Sequence, residues 1–126
     1  MSLNNENNPM EMRVALGAVT ADTQFELKRI TKKMKILSLS VIDPTGEAED
    51  AVNYVEVKLL RDAAVLANVS TETGEGGGLA AGVWQDAPET DIHDVLKDAD
   101  LALLVDISGT GALNAGAVAL VRYVEV

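Results

Sequence analysis

Short runs of alternating apolar and polar residues dominate the chain from residue 13 onward. Successive side chains of a β-strand point to opposite faces, so this alternation predicts strands with one buried face. The clearest runs are Leu37–Val41, Val55–Leu59 and Leu101–Ile107. Turn-forming segments such as Asp43–Gly46 and the glycine-rich Glu72–Gly78 separate the runs. Seven or eight short strands at intervals of about ten residues are typical of an all-β, two-sheet sandwich or of a barrel.

Two segments are compatible with either a helix or a strand. Apolar residues after Asp91 have helical spacing, and Asp91 could cap a short helix over Asp91–Asp98. Asp62–Ala67 is rich in alanine, which is a good helix former. We therefore expect an all-β domain with at most one short helical segment.

The first twelve residues contain four asparagines, a serine and a proline, and they show no periodic apolar pattern. We interpret residues 1–12 as an extended N-terminal arm and residues 13–126 as a single β-sandwich domain. Such an arm is either a frayed terminus or a segment that becomes ordered on a partner.

Composition excludes several classes of protein. The chain has 126 residues, no cysteine, one histidine and a net charge of −10. Disulfide scaffolds, thiolate metal sites and multi-histidine sites are excluded, and binding to nucleic acid or to an anionic membrane is disfavoured. The polar start shows no signal peptide, and no apolar run reaches the roughly 20 residues of a spanning helix.

The candidate chemical motifs are all incomplete. The glycine-rich segment Thr73–Gly82 lacks the lysine of a phosphate-binding loop. The acidic stretches Asp43–Glu49 and Asp86–Asp94 lack the glycine position of a calcium-binding EF-hand loop. His93 could act as a base for Ser70 or Ser108, but no nucleophile elbow surrounds either serine. We predict no catalytic residue, no cofactor, no metal site and no enzymatic activity.

Positive charge is concentrated near the N-terminus. Residues 1–35 hold six Lys and Arg and four Asp and Glu, whereas residues 36–126 hold four and sixteen. The lysines near residue 33 either protect a strand edge or dock on an acidic surface. The single tryptophan is a core or interface anchor. The candidate partner-contact residues are Asn4, Asn5, Asn7, Asn8, Met10, Lys32, Lys33, Lys35 and Trp84.

A polar arm, a basic strand and a Val/Ala/Leu-rich β-domain ending in Gly116–Tyr123 together resemble the small virion proteins of tailed bacteriophages. Among these, the chain is most similar to capsid decoration, or cement, proteins. The resemblance implies a jelly-roll-like sandwich that binds the major capsid protein on the outside of the head and stabilises the shell. It further implies a homo-oligomer, either a dimer or a trimer, that has no nucleic-acid or membrane partner. The implied location is the exterior of the virion, after assembly in the host cytoplasm.

Two other functions remain open. The chain could be another virion part, such as a head-fibre base or a receptor-binding tail component, with Trp84 and the Gly74–Gly78 loop as its contact surface. It could also be a small β-sandwich module that binds a ligand, or an enzyme that uses His93 and neighbouring carboxylates.

Overall fold

Nine β-strands and no helix make up the part of the chain that the computed structural model describes, which is residues 9–89, 93–95 and 98–125. The prediction of an all-β protein is therefore confirmed. In chain order the strands are β1 (Met10–Ala15), β2 (Thr23–Arg29), β3 (Met34–Ile42), β4 (Tyr54–Arg61), β5 (Ala64–Ser70), β6 (Gln85–Asp86), β7 (His93–Val95), β8 (Asp100–Ser108) and β9 (Val118–Glu125).

The strands form two antiparallel sheets. In the first sheet the order is β1-β9-β3, and the short strands β6 and β7 both pair with the outer edge of β3. In the second sheet the order is β2-β8-β4-β5. The pairing is nested, because β1 pairs with β9, β2 with β8, β3 with β6 and β7, and β4 with β5. The first half of the chain thus folds back on the second half, and successive pairs alternate between the two sheets.

One apolar core lies between the sheets and makes the domain a β-sandwich. Both sheets contribute side chains that are at most 1% exposed, among them Ile36, Leu39, Val41 and Val121 from the first sheet and Val57, Leu59, Leu103 and Val105 from the second. Burial of such side chains contributes about 1.5–3 kcal/mol each.

The alternating pattern identified the buried face correctly in β4 and β8, but less well in β3 and β9. In β3 the register shifts between Ile36 and Ser38, so Ile36 is buried while Leu37 is only half-buried. A bulge of this kind moves the following side chains to the other face. In β9 both faces are apolar, and the core-facing residues are Ala119, Val121 and Tyr123.

The sheet begins at Met10, within the segment that we assigned to the arm. Met10, Glu11 and Met12 pair with β9, and the two methionines pack against the core. These three residues therefore belong to the sandwich. Residues 1–8, including the candidate contacts Asn4, Asn5, Asn7 and Asn8, lie outside the described residues.

Neither ambiguous segment contains a helix where it is described. Asp62 and Ala63 form a two-residue turn between β4 and β5, and β5 follows directly. In the other segment His93–Val95 is strand β7, and residues 91, 92, 96 and 97 lie outside the described part. In both places strand pairing outweighs the local helix propensity.

The β4–β5 turn forces an alanine into a left-handed conformation. The φ angles are 47° at Asp62 and 71° at Ala63, which is the pattern of a type I′ hairpin turn. Asp-Gly is a preferred pair for this turn, because a Cβ atom in the left-handed region costs about 1–2 kcal/mol. The Ala63 side chain is exposed, and the turn is held in place by two hydrogen bonds between Asp62 and the Asp100 backbone.

We expect Ala63→Gly to stabilise the protein by about 0.5–1 kcal/mol, since relief of the left-handed strain exceeds the extra chain entropy of glycine. Denaturant unfolding measures this change. Ala51→Gly is the matched control, because Ala51 is exposed and is not among the residues of positive φ. The control should lose stability, and a loss at both positions would contradict our account of the turn.

A buried carboxylate joins the loops at one end of the sandwich. Asp43 is 0% exposed, and its Oδ1 accepts the backbone N–H groups of Thr45 at 3.0 Å and Gly46 at 3.1 Å. Its Oδ2 accepts the Asn114 backbone N–H at 2.9 Å and the Asn114 Nδ2 group at 3.1 Å. Asn114 also donates to the Gly46 carbonyl at 2.9 Å. The Asp43 and Asn114 side chains thus fix the β3–β4 and β8–β9 loops together.

We expect Asp43→Ala to lower the free energy of unfolding by about 3 kcal/mol, because several partly buried donors lose a charged acceptor. Asp50→Ala is the matched control. The Asp50 carboxylate also accepts two N–H groups of the following turn, from Val52 and Asn53, but it is exposed and, within the described residues, bonds only to this turn. The control should therefore lose clearly less free energy of unfolding. Equal losses of the two variants in urea unfolding would contradict the cross-loop role of Asp43.

Candidate interaction surface

The two ends of the sandwich carry different residues. The end that we call the lysine end contains the 30–33 loop, the 62–63 turn, the start of β1 and the end of β9. The end that we call the glycine end contains the loops 16–22, 43–53, 71–84 and 109–117. The strands of the β-sandwich hold these two loop groups apart at a fixed distance.

The three candidate lysines lie together at the lysine end. Lys32 and Lys33 are exposed in the 30–33 loop, and Lys35 is half-buried at the start of β3. The Lys32 side chain is 76% exposed, and its Nζ lies 3.9 Å from Glu125 Oε2. An exposed ion pair at this distance contributes little to stability. The charge of Lys32 is therefore accessible to a partner.

Lys58 and Arg29 are paired with carboxylates within the protein. On the outer face of the second sheet, Lys58 donates to Asp106 at 2.8 Å and lies 3.8 Å from Glu56. The hydrogen bond to Asp106 raises the pKa of Lys58. Arg29 lies 3.2 Å from Asp100. These pairs neutralise the charges of Lys58 and Arg29.

Met10 lies at the same end as the lysines. In the first sheet both Met10 and Ile36 are register partners of Tyr123, and Lys35 is one residue from Ile36. The chain that precedes β1 therefore enters the sandwich beside the lysine loop. The sequence contained no signal for this proximity, because it depends on β9 lying between β1 and β3.

Trp84 lies elsewhere. It precedes β6, whose Gln85 pairs with Val41, so six residues of β3 separate this row from Lys35. At about 3.3 Å per residue the separation is roughly 20 Å, so Trp84 and the lysines do not form one patch. Trp84 is 37% exposed, its neighbour Val83 is 56% exposed, and the Arg13 guanidinium lies 5.6 Å from the Trp84 ring centroid. That distance allows a cation–π contact.

The glycine-rich segment is fixed to the neighbouring loop at its C-terminal end. Leu79 and Glu47 exchange backbone hydrogen bonds of 2.8 and 2.9 Å. Gly78 has a φ of +80°, and a Cβ atom there would lie 2.7 Å from the Glu49 nitrogen. Glycine is thus required at this position by a backbone contact. An open cleft of about 330 Å³ lies beside the segment, lined by Ser70, Gly74–Gly76, Gln85 and Asp86.

The polar groups near this cleft bond to other groups of the protein. Ser70 Oγ accepts the Glu72 N–H at 3.1 Å, and Asp86 accepts the Ser40 hydroxyl. The ladder of oxygens from Asp43 to Glu49 is partly used as well, since the Asp43 carboxylate accepts N–H donors. Among the described residues, no group of three His, Asp or Glu side chains is placed to hold a metal. That part of the chain also contains no helix able to span a membrane.

Glu47 at the glycine end has a perturbed carboxyl group. Burial raises the pKa of Glu47, and the nearby carboxylates of Asp43 and Asp50 raise it further. A carboxyl whose folded pKa exceeds its unfolded value destabilises the fold when both states are ionised. The cost is present at neutral pH, and it disappears when the pH falls below the unfolded value.

We expect Glu47→Gln to raise the thermal midpoint at neutral pH and to leave it nearly unchanged below about pH 4. Glu49→Gln is the control for net charge, because Glu49 is an exposed side chain of the same loop. Glu49→Gln should raise the thermal midpoint at neutral pH by less than Glu47→Gln does. A pH-independent gain for Glu47→Gln would show that charge at Glu47 is not the cause.

Comparison with known proteins adds no family assignment: no protein-family model matches the chain, and no curated protein is significantly similar to it.

Proposed function

We propose that this protein is a bacteriophage virion component that binds the outside of the capsid and stabilises the shell, without catalysing a reaction. The observation that carries the proposal is the placement of the lysine loop beside the start of β1, at one end of an otherwise acidic sandwich. This end combines a basic loop with the exit point of the preceding chain. It is suited to a contact that is partly electrostatic and partly made by an extended segment.

We further propose that the sandwich is a jelly roll. If β6 and β7 are counted as one interrupted strand, the sheets contain four strands each, and the nested pairs alternate between them. An eight-stranded, two-sheet Greek-key arrangement of this kind is found in viral capsid domains. The strand order supports the structural half of the proposal, and by itself it implies no function.

Electrostatics support the choice of the lysine end as the contact surface. Residues 36–126 carry a net charge of −12, so most of the molecule repels an acidic lattice. Lys32 and Lys33 are exposed at the tip of a loop, where contact is sterically easiest. A protein that binds the assembled shell but not its free subunits stabilises the shell by mass action. The major capsid protein is the partner that the proposal requires.

The start of β1 allows a sharper deletion experiment than removal of the whole arm. We expect deletion of residues 1–8 to leave the thermal midpoint nearly unchanged, because this asparagine-rich segment has no core-forming pattern. Deletion of residues 1–12 should cost about 2–3 kcal/mol, because the packed side chains of Met10 and Met12 are lost with half of β1. Thermal and denaturant unfolding measure both effects.

The two deletion variants also test the function when the purified variant proteins are added to phage heads that lack this protein. If the arm binds the capsid, the chain without residues 1–8 should cosediment poorly with heads although it is as stable as the intact protein. Full occupancy by this variant would remove the arm from the proposal. A binding defect seen only after deletion of residues 1–12 would indicate loss of the fold and not of a contact.

A matched pair of charge reversals tests the lysine end. Lys32 and Arg122 are both exposed, and each lies 3.9 Å from one glutamate, so their reversal should cost similar stability. We expect Lys32→Glu to reduce capsid occupancy and Arg122→Glu to leave it unchanged. The defect should shrink at high salt, since exposed charge contacts are screened. Equal effects of the two variants would contradict the assignment of the lysine end.

One observation favours a second candidate, a receptor-binding virion part. Val83 and Trp84 are exposed apolar side chains in the 71–84 loop region, away from the lysines. Aromatic residues of this kind are enriched at interfaces. Adhesion to host cells that is lost in Trp84→Ala and kept in Lys32→Glu would support this candidate over capsid attachment.

A further inference from the structure

The core is incompletely covered along one side of the sandwich. Six apolar side chains pack against the core but remain partly exposed, and they are Met10, Met12, Val14, Phe25, Leu27 and Ile107. All lie on the edge strands β1 and β2 or on β8, which pairs with β2. On the opposite side, the β5 side chains of Leu66, Ala67 and Val69 are at most 6% exposed, and so is Ala87, which follows β6. We call the partly exposed side the β1–β2 seam.

The free edge of β1 runs along this seam. Leu16, just past the strand, donates its N–H to the Ala117 carbonyl at 2.9 Å. Alternate residues of an antiparallel strand direct their backbone groups to the same side. Met12 and Val14 therefore bond to β9, while the N–H and C=O groups of Glu11 and Arg13 point away from it. Within the described residues no strand pairs with this edge.

The charges on this edge are self-complementary. Glu11 and Arg13 flank Met12 symmetrically, and both are exposed. In an antiparallel pair of β1 strands related by a two-fold axis at Met12, Glu11 of each copy faces Arg13 of the other. The register that places these charges opposite each other also pairs the free backbone groups of the two residues. Opposite charges at such cross-strand positions stabilise a pair of strands.

The charge of the whole molecule favours the same side. Two copies with a net charge of −10 repel each other over most of their surface. The strands β1 and β2 themselves hold three Lys and Arg and two Glu, a net charge of +1. Two copies therefore approach with least repulsion through the β1–β2 seam.

We propose that the β1–β2 seam binds a second copy of this chain, with the two β1 strands paired antiparallel about Met12. The paired strands join the five-stranded sheet of one copy to the five-stranded sheet of the other, and the seam of each copy covers part of the seam of its partner. The interface is isologous, as in most dimers. A pair of six-residue strands is smaller than the roughly 1,200 Å² of a standard interface, so the dimer dissociates on dilution. The inference does not depend on the proposed capsid function, because its test needs only the purified protein.

Because the two charges are placed symmetrically, the proposal can be tested by reversing the charge at each position and then combining the reversals. Glu11→Arg places two arginines opposite two arginines, and Arg13→Glu places two glutamates opposite two glutamates. We expect each variant alone to be monomeric in sedimentation equilibrium at concentrations where the wild type is dimeric. An equimolar mixture of the two variants should form a heterodimer, because every Arg then faces a Glu. The double variant Glu11→Arg/Arg13→Glu should recover the homodimer.

Thermal unfolding identifies any loss of fold in the single variants, since Glu11 lies 3.9 Å from Arg122 and Arg13 contacts Trp84. Recovery in the mixture is then a further check, because unfolded chains would not form a dimer of defined mass. Glu75→Arg is the control, since it makes the same charge change in the exposed glycine-rich segment. It should leave the dimer intact.

Three outcomes would overturn the proposal. A wild-type protein that stays monomeric at high concentration would show that the seam does not bind a second copy. A trimer would exclude an interface with two-fold symmetry. A dimer that persists in both single variants would place the interface on another surface.

Discussion

The fold depends on the antiparallel pairing of the first half of the chain with the second half in reverse order. The last strand, β9, lies between β1 and β3 and completes the first sheet, so this sheet cannot form before the end of the chain is in place. Among the described strands, only β4 and β5 are joined by a tight two-residue turn. Long-range pairing of this type slows folding, because loops must close before their contacts stabilise the chain. The same pairing holds the two groups of loops at opposite ends of the molecule.

The two ends are stabilised by different interactions. At the glycine end, the buried Asp43 and the partly buried Asn114 hold adjacent loops in one arrangement. Glycine is required where two backbones approach closely, as at Gly78. At the lysine end, the charged side chains of the 30–33 loop are exposed, and Lys32 is only weakly paired, 3.9 Å from Glu125. Rigid loops with satisfied polar groups contribute mainly to stability. Exposed charge at a loop tip contributes little to stability and is suited to binding a partner.

The edges of the sandwich also differ. On the side formed by β5 and β6 the core side chains are buried, whereas the side formed by β1 and β2 leaves core side chains partly exposed. An exposed sheet edge promotes association, and proteins usually protect it with charged side chains. In β1 the charged residues are Glu11 and Arg13, of opposite sign and two positions apart. This spacing opposes pairing with strands in general and favours pairing with an antiparallel copy of the same strand.

The sequence by itself determined the all-β class and the buried faces of β4 and β8, because the alternation of side chains in a strand is a local property of the backbone. It also located the main turns through their Gly, Pro and Asp residues. It did not determine that Met10–Met12 belong to the sheet, because their neighbour β9 lies more than a hundred residues away in the chain. Nor did it show that Asp43 is buried, since its partner Asn114 is 71 positions distant. The bulge in β3 and the meeting of β1 with the lysine loop were likewise decided only by the tertiary structure. Each of these features depends on which strand lies beside another, and hydrogen bonds between distant segments fix that arrangement.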